Sequence, residues 1–195
     1  MVADAVHVYI CRFVDRRAVD SEDRLTMVEE GWIEPNLWKA IEESIPIPCV
    51  DILPWRRRAD NGAIEIGLIE RDSEDSGRSW NLVGGRIRRN ESIEAAIERH
   101  MRTTLGGDVT WDRCDYSVPD FAGEYFTSPT PGHGYDPRHH AVSFSYAVEI
   151  YGPVAASGEA YAIEFFTPDR LPPDSAIGFA QFHAIHALIR RLLGS

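Results

Sequence analysis

The stretch WNLVGGRIRRNESIEAAIERHMRTTLGG, Trp80 to Gly107, constrains the fold more than any other part of the chain. A short β-prone run ends in Gly84-Gly85, and a helical period begins a few residues later. Without a Cβ at either glycine, the backbone can approach a ligand closely, and Arg86 follows at once. Asn90 or Ser92 can cap the helix that comes next. Across 92–105, Ile93, Ile97, Met101 and Leu105 recur every four residues and form a core stripe. Ala96, His100, Thr103 and Thr104 cluster beside that stripe at spacings of three and four. Any chemistry on this helix belongs to the second strip, which looks toward the glycine pair. Glu91 and Arg99 lie two turns apart and can pair along one side.

The flanking sequence supplies a sheet. Residues 4–14, DAVHVYICRFV, alternate with period two and predict a strand, followed by a charged linker to residue 26. Pro35, Leu37, Trp38, Ile41 and Ile45 predict a short amphipathic helix ending before Pro46. Strands are predicted at 48–55, 63–71, 80–83, from Val109 toward Val118, from 122, at 141–152 and near 161–167. A Gly/Pro loop fills the span up to His140. Residues 175–193, with Ile177, Ala180, Ile185, Leu188, Ile189 and Leu192, predict a closing helix. Strands on both sides of a central helix imply a mixed sheet covered by helices.

The chain has 195 residues, 44% of them apolar, enough for one domain with a real core. Its formal net charge is −11, which argues against sequence-independent nucleic-acid binding. Of 20 basic residues only Lys39 is a lysine, and the arginines can grip phosphate with two parallel hydrogen bonds. Three widely spaced cysteines, Cys11, Cys49 and Cys114, suit neither a disulfide framework nor a zinc site, so the cytoplasm is the expected compartment. No apolar run is long enough to predict a membrane span. The N-terminus has no basic segment ahead of an apolar one, so no signal peptide is expected.

The residues around the glycine pair resemble the Nudix hydrolase family. Counted from Gly85, five residues lead to Glu91, seven more to Arg99, and Gly106 stands at the final box glycine. Met101 fits the aliphatic position, and Trp80 and Gly84 match the usual lead-in. The three box acids are replaced by His100, Thr103 and Thr104. Gly-Gly-Arg followed by a departure from Arg-Glu is similar to the GDP-mannose mannosyl hydrolase branch, and SGEAYAIEFFTPDRL resembles the segment where that branch carries a Gln-His pair. Glu159 and Ala160 are the counterparts here. The resemblance runs from about Trp32 to the C-terminus. It implies an α/β/α sandwich with a mixed sheet over 27–195, residues 1–26 being an added strand segment and linker. It also implies a homodimer and a nucleoside diphosphate-linked substrate such as a nucleotide sugar.

The altered positions matter because Nudix-type cleavage needs a hard divalent cation on the diphosphate oxygens. Magnesium prefers oxygen ligands with carboxylate charge. Replacing one carboxylate by a hydroxyl forfeits roughly 7 kcal/mol of attraction at an effective dielectric of 20, before solvation. A magnesium or manganese ion is therefore expected to be weakened. His100 and Glu159 with a Gly85 carbonyl are candidate ligands for a softer metal, and His100 and Glu159 are candidate acid–base groups. Alternatively, arginines take over the metal's charge. His100 can equally be a helix histidine satisfied by a backbone carbonyl, and Glu91–Arg99 a structural ion pair.

The loop GHGYDPRHHAV adds His133, Asp136, Arg138, His139 and His140 before a strong strand. On a strand His139 and His140 would point to opposite faces, so at most one serves a given site. His139 and His140 join the catalytic candidates. Gly84, Gly85, Arg86, Arg138 and Tyr125 are the substrate-binding candidates, and Glu91, Arg99 and Gly106 are framework residues. Two readings stay open. One is a divergent Nudix-type hydrolase; the other is a catalytically silent Nudix-fold domain that binds a nucleotide or a protein partner. The enzyme is the slightly favoured one.

Overall fold

Alternation along one central strand sets the layers of the molecule. In the computed structural model, which describes residues 33–194 except 75, 113 and 114, that strand is β1, Ile47–Arg57. Val50 and Ile52 face one way and pack with Ile97, Met101 and Leu105 of a helix, while Leu53 and Trp55 face the other and pack with Ile185, Leu188 and Ile189 of a second helix. A sheet buried on both faces must be covered on both, and the result is an α/β/α sandwich. The strand segment expected at 4–14 and the linker to residue 26 lie outside the described residues, as do Cys11 and Cys114.

The elements follow in the order α1 (Pro35–Glu42), β1, β2 (Ile64–Ser73), β3 (Gly77–Asn81), β4 (Val83–Arg86), α2 (Ile93–Leu105), β5 (Thr110–Trp111), β6 (Phe121–Phe126), β7 (Gly134–Tyr135), β8 (Ala141–Tyr151), β9 (Ala162–Phe166) and α3 (Phe182–Leu193). The mixed sheet runs β3-β2-β1-β8-β6-β7, with β1 and β8 parallel at its centre and Ile52 opposite Tyr146. β4 pairs with β1, β9 with β2, and β5 with β8. α1 starts on Pro35, where a missing N–H costs nothing, and Glu34 accepts from the Leu37 amide at 3.0 Å. α2 is capped by Ser92, whose Oγ accepts from the Ala95 amide at 3.1 Å, while Asn90 takes a left-handed turn at φ 62° instead. No described helix is long and apolar enough to cross a membrane.

The structure departs from the sequence-based expectation in three places. Gly84 and Gly85 are strand residues of β4, paired with Asp51 and Val50, so the glycine junction continues the sheet before the turn begins. The strand expected from Val109 to Val118 shrinks to Thr110–Trp111. The closing helix begins at Phe182, because residues 174–180 form two short 3-10 turns in which Phe179 and Ala180 hold φ of 55° and 50°. Gly178 explains the break. A Cβ there would lie 2.4 Å from Ser73 Oγ and 2.5 Å from Ser79 Oγ, so the backbone sits directly on a buried polar cluster.

Candidate functional site

β1 reads Cys-Val-Asp-Ile-Leu-Pro-Trp, an apolar run with one carboxylate in it. Asp51 shares the face of Leu53 and Trp55 and is buried at the floor of a cavity of about 200 Å³. Ser143 Oγ on β8 donates to Asp51 Oδ2 at 2.6 Å, and the Tyr125 hydroxyl lies 3.5 Å from the same oxygen. Burial pushes the Asp51 pKa up, against the hydrogen bond from Ser143 and the charge of Arg71. Cys49 beside it is half-buried, and burial pushes its thiol up to about 12, so it is an unreactive lining group.

Three arginines line the same cavity, from different elements: Arg71 of β2, Arg86 of β4 and Arg138 of the loop before β8. Aromatic rings orient them. The Arg86 guanidinium carbon stands 4.6 Å from the centre of the Trp38 ring on α1. Phe179 has two guanidinium carbons near its ring, Arg138 at 4.8 Å and Arg71 at 5.3 Å. Arg138 also makes a two-point contact to Asp136, at 2.9 and 2.7 Å. Burial works to raise the Asp136 pKa, yet the hydrogen bonds and charge of Arg138 bring it below the usual range. Arg71 Nη1 donates to Glu159 Oε2, while Arg71 Nε is buried without a hydrogen-bond partner.

The helix strip has a different character. Arg99 clasps Glu91 and also donates through Nη2 to the Arg86 carbonyl at 3.0 Å. His100 lies under Gly85, where a Cβ would come 3.0 Å from the ring. Its Nε2 is 3.2 Å from Arg99 Nη1 and 3.3 Å from the Arg86 carbonyl. Burial, then the Arg99 charge, lowers the His100 pKa, so the ring is neutral at pH 7. Thr103 Oγ1 donates to the Arg99 carbonyl at 2.8 Å, and Thr104 is buried. Among the described residues no three His, Cys, Asp or Glu side chains gather into a metal-holding group. The donor set here does not fit a hard divalent cation, which wants several oxygen ligands and carboxylate charge.

The sequence candidates therefore separate. Gly84, Gly85, Arg86, Tyr125, Arg138 and His139 share the cavity. His139 forms a wall, edge-on to Trp38 with ring centres 6.1 Å apart, and its Nδ1 lies 3.7 Å from Glu42 Oε2. Burial lowers its pKa as well. His140 turns the other way, stacks on Phe126 at 4.9 Å and faces Glu124 at 3.8 Å. His100 and Glu159, paired in the sequence as candidate metal ligands, are each committed elsewhere, to the Arg99–Arg86 contacts and to Arg71. Glu91 and Arg99 form the framework pair, and Gly106, at φ 91°, ends α2. Sequence reasoning missed Asp51, Arg71 and Phe179 as cavity residues. The carboxylate inside an apolar strand was the available signal for Asp51; Arg71 and Phe179 had none.

A family model described as a domain of unknown function (DUF4916) matches residues 28–194. The chain belongs to the DUF4916 family. No curated protein matches it. Among solved structures, this DUF4916 chain is similar to a possible asymmetric diadenosine tetraphosphate hydrolase from Jonesia denitrificans, with 26% identity, a TM-score of 0.68, and coverage of 77% of this chain and 96% of that one. It is similar in fold to the Nudix domain of NrtR from Shewanella oneidensis complexed with ADP-ribose, at 16% identity and TM-score 0.53, covering 82% and 94%. The third is a bifunctional NMN adenylyltransferase/ADP-ribose pyrophosphatase from Francisella tularensis complexed with AMP and a manganese ion, at 14% identity and TM-score 0.53, covering 80% and 44%. The fold of this DUF4916 domain is thus the Nudix fold.

Proposed function

We propose that this DUF4916 domain is a Nudix-fold binder of a nucleoside phosphate or diphosphate, and that it holds the ligand by arginine charge in place of a box metal. One observation carries the reading. Arg71, Arg86 and Arg138 converge on one cavity walled by Trp38 and Phe179, while the helix strip that would hold a cation presents His100, Thr103 and Thr104. The rings offer stacking faces for a base, and the guanidiniums offer fixed donors for phosphate oxygens. Nucleotide-type ligands in the solved relatives, ADP-ribose and AMP among them, support the ligand class. A nucleotide sugar, as the resemblance to the GDP-mannose mannosyl hydrolase branch implies, belongs to the same class.

The reading is tested by titrating ADP, ADP-ribose and GDP-mannose calorimetrically, with chelator and then with magnesium or manganese, and by assaying each for product release. The expected result is binding of at least one compound that is indifferent to chelator, with no turnover. Absence of binding for all three would overturn it. Metal-dependent product release would instead support the hydrolase reading, which the likeness to the Jonesia denitrificans protein over nearly its whole length keeps as the second one.

A further inference from the structure

We propose that Glu159 is an internal competitor anion of this pocket: it occupies Arg71, and a ligand phosphate must displace it to bind. The inference rests on the phosphate-binding reading above and deepens it.

Arg71 lines the cavity, and its Nη1 donates to Glu159 Oε2. The two partners are unequally held. The Arg71 side chain is 15% exposed and rests near the Phe179 ring, whereas the Glu159 side chain is 43% exposed. Phe179 in turn is fixed by its left-handed turn and by Gly178, seated on Ser73, Ser79 and Asn81. Gln181 Oε1 ties the far end of that turn by accepting from the Leu82 amide at 2.8 Å. When the pair opens, Glu159 is the partner that leaves and Arg71 stays facing the cavity. The buried Arg71 Nε has no acceptor, so Glu159 meets the guanidinium's hydrogen-bonding capacity only in part. Asp51, the other carboxylate in the Arg71 field, is fully buried, bonded to Ser143 and pushed toward its neutral form.

A ligand anion must therefore displace a carboxylate of charge −1. The net gain is the difference between the two anions at Arg71. A bridging diphosphate carries about one negative charge per phosphorus, whereas a terminal phosphate monoester carries about −1.5 to −2 at pH 7. The terminal group gains more from Arg71, while the cost of displacing Glu159 is common to both ligands and lowers both affinities alike. If the bridge were only structural, loss of either partner would weaken binding. If Glu159 were a metal ligand or a base, its loss would remove turnover without sharpening affinity.

The experiment measures calorimetric affinities of the full chain for ADP and ADP-ribose in the wild type, Glu159→Gln, Glu159→Ala and Arg71→Lys, with folding checked by circular dichroism. Glu159→Gln and Glu159→Ala are expected to tighten both ligands by about two- to five-fold, the scale of a part-exposed ion pair. The ADP to ADP-ribose preference should stay unchanged, since both ligands displace the same carboxylate. Arg71→Lys keeps the charge and loses the planar fork, and is expected to weaken ADP by about ten-fold. Weaker or unchanged binding in both Glu159 variants, with ADP still bound by the wild type, overturns the inference and leaves the pocket reading standing. If the wild type binds neither ligand, the pocket reading itself falls.

Discussion

Arg99 reaches back two helical turns to Glu91, with Nε 2.7 Å from Oε1 and Nη2 2.7 Å from Oε2. The same guanidinium touches the Arg86 carbonyl and the His100 ring, so one fork joins the helix, the glycine strand and the loop between them. Glu91 adds a bond from the Arg88 amide at 2.8 Å. The hydrogen bond from Arg99 leads in bringing its pKa from 4.5 to about 2. A depressed carboxylate stabilises the fold above its unfolded value, and that contribution is lost as pH falls through about 2. Glu91→Gln should cost about 1–3 kcal/mol at pH 7. Urea unfolding should show the gap to wild type narrowing steadily below pH 4.5. A gap that stays constant down to pH 2 would reject the pair as its source.

His100 gives the opposite chemistry the same sign. Burial first, then Arg99, lowers its pKa below 6.5, and burial does the same to His139. Between the unfolded and folded values the unfolded chain binds more protons, so stability drops as pH falls from about 7. Thermal unfolding should show a lower midpoint at pH 5.5 than at pH 7.5. His100→Gln should reduce that difference without abolishing it, since His139 contributes as well. An equal pH slope in variant and wild type would mean that His100 does not carry it.

Trp38 and Phe179 make a third prediction. Both rings orient arginines and both line the cavity. A base stacked on either should lose about 1–3 kcal/mol when the ring is removed. Trp38→Ala is therefore expected to weaken ADP binding by about ten-fold while leaving the unfolding midpoint nearly unchanged, because no residue of α1 is buried. Phe179→Leu should weaken ADP and, in addition, loosen the salt dependence set by Arg71 and Arg138. Unchanged affinity in both variants would place the base elsewhere.

Periodicity exposed the framework and was silent on the pocket, for physical reasons. The stripe Ile93, Ile97, Met101 and Leu105 and the alternation of β1 are local patterns, and they show which faces are buried. Glu91, Arg99 and Gly106 were legible because their spacing lies within one helix and its ends. The cavity instead joins Trp38, Asp51, Arg71, Arg138 and Phe179, which are distant in sequence and meet only through tertiary packing. Phe179 was read as part of a helix because its neighbours Ile177 and Ile185 keep a helical period. The close seat of the Gly178 backbone on Ser73 and Ser79, which leaves no room for a Cβ, is a tertiary contact that no window of sequence contains.

The threonines at the end of α2 are built into the packing, and this yields the last prediction. Thr104 is 3% exposed, and its carbonyl accepts from the Ser157 amide at 3.0 Å. The Ala155 amide donates to the Leu105 carbonyl at 2.9 Å, and Ser157 Oγ donates to the Thr103 carbonyl at 2.8 Å. The segment 155–158 thus docks on the last turn of α2, and Gly158 approaches so closely that a Cβ would stand 2.8 Å from the Thr103 carbonyl. Placing an acid at 104 would put a longer, charged side chain in this buried contact. Thr104→Glu is expected to destabilise the domain by about 3 kcal/mol or more, as for an unpaired buried charge. Thr103→Glu, on an exposed position, should change stability by no more than about 0.5 kcal/mol. Manganese should not rescue Thr104→Glu, since His100 and Glu159 are engaged elsewhere. A metal-dependent rise in its unfolding midpoint would show that the helix strip still holds the geometry of a cation site.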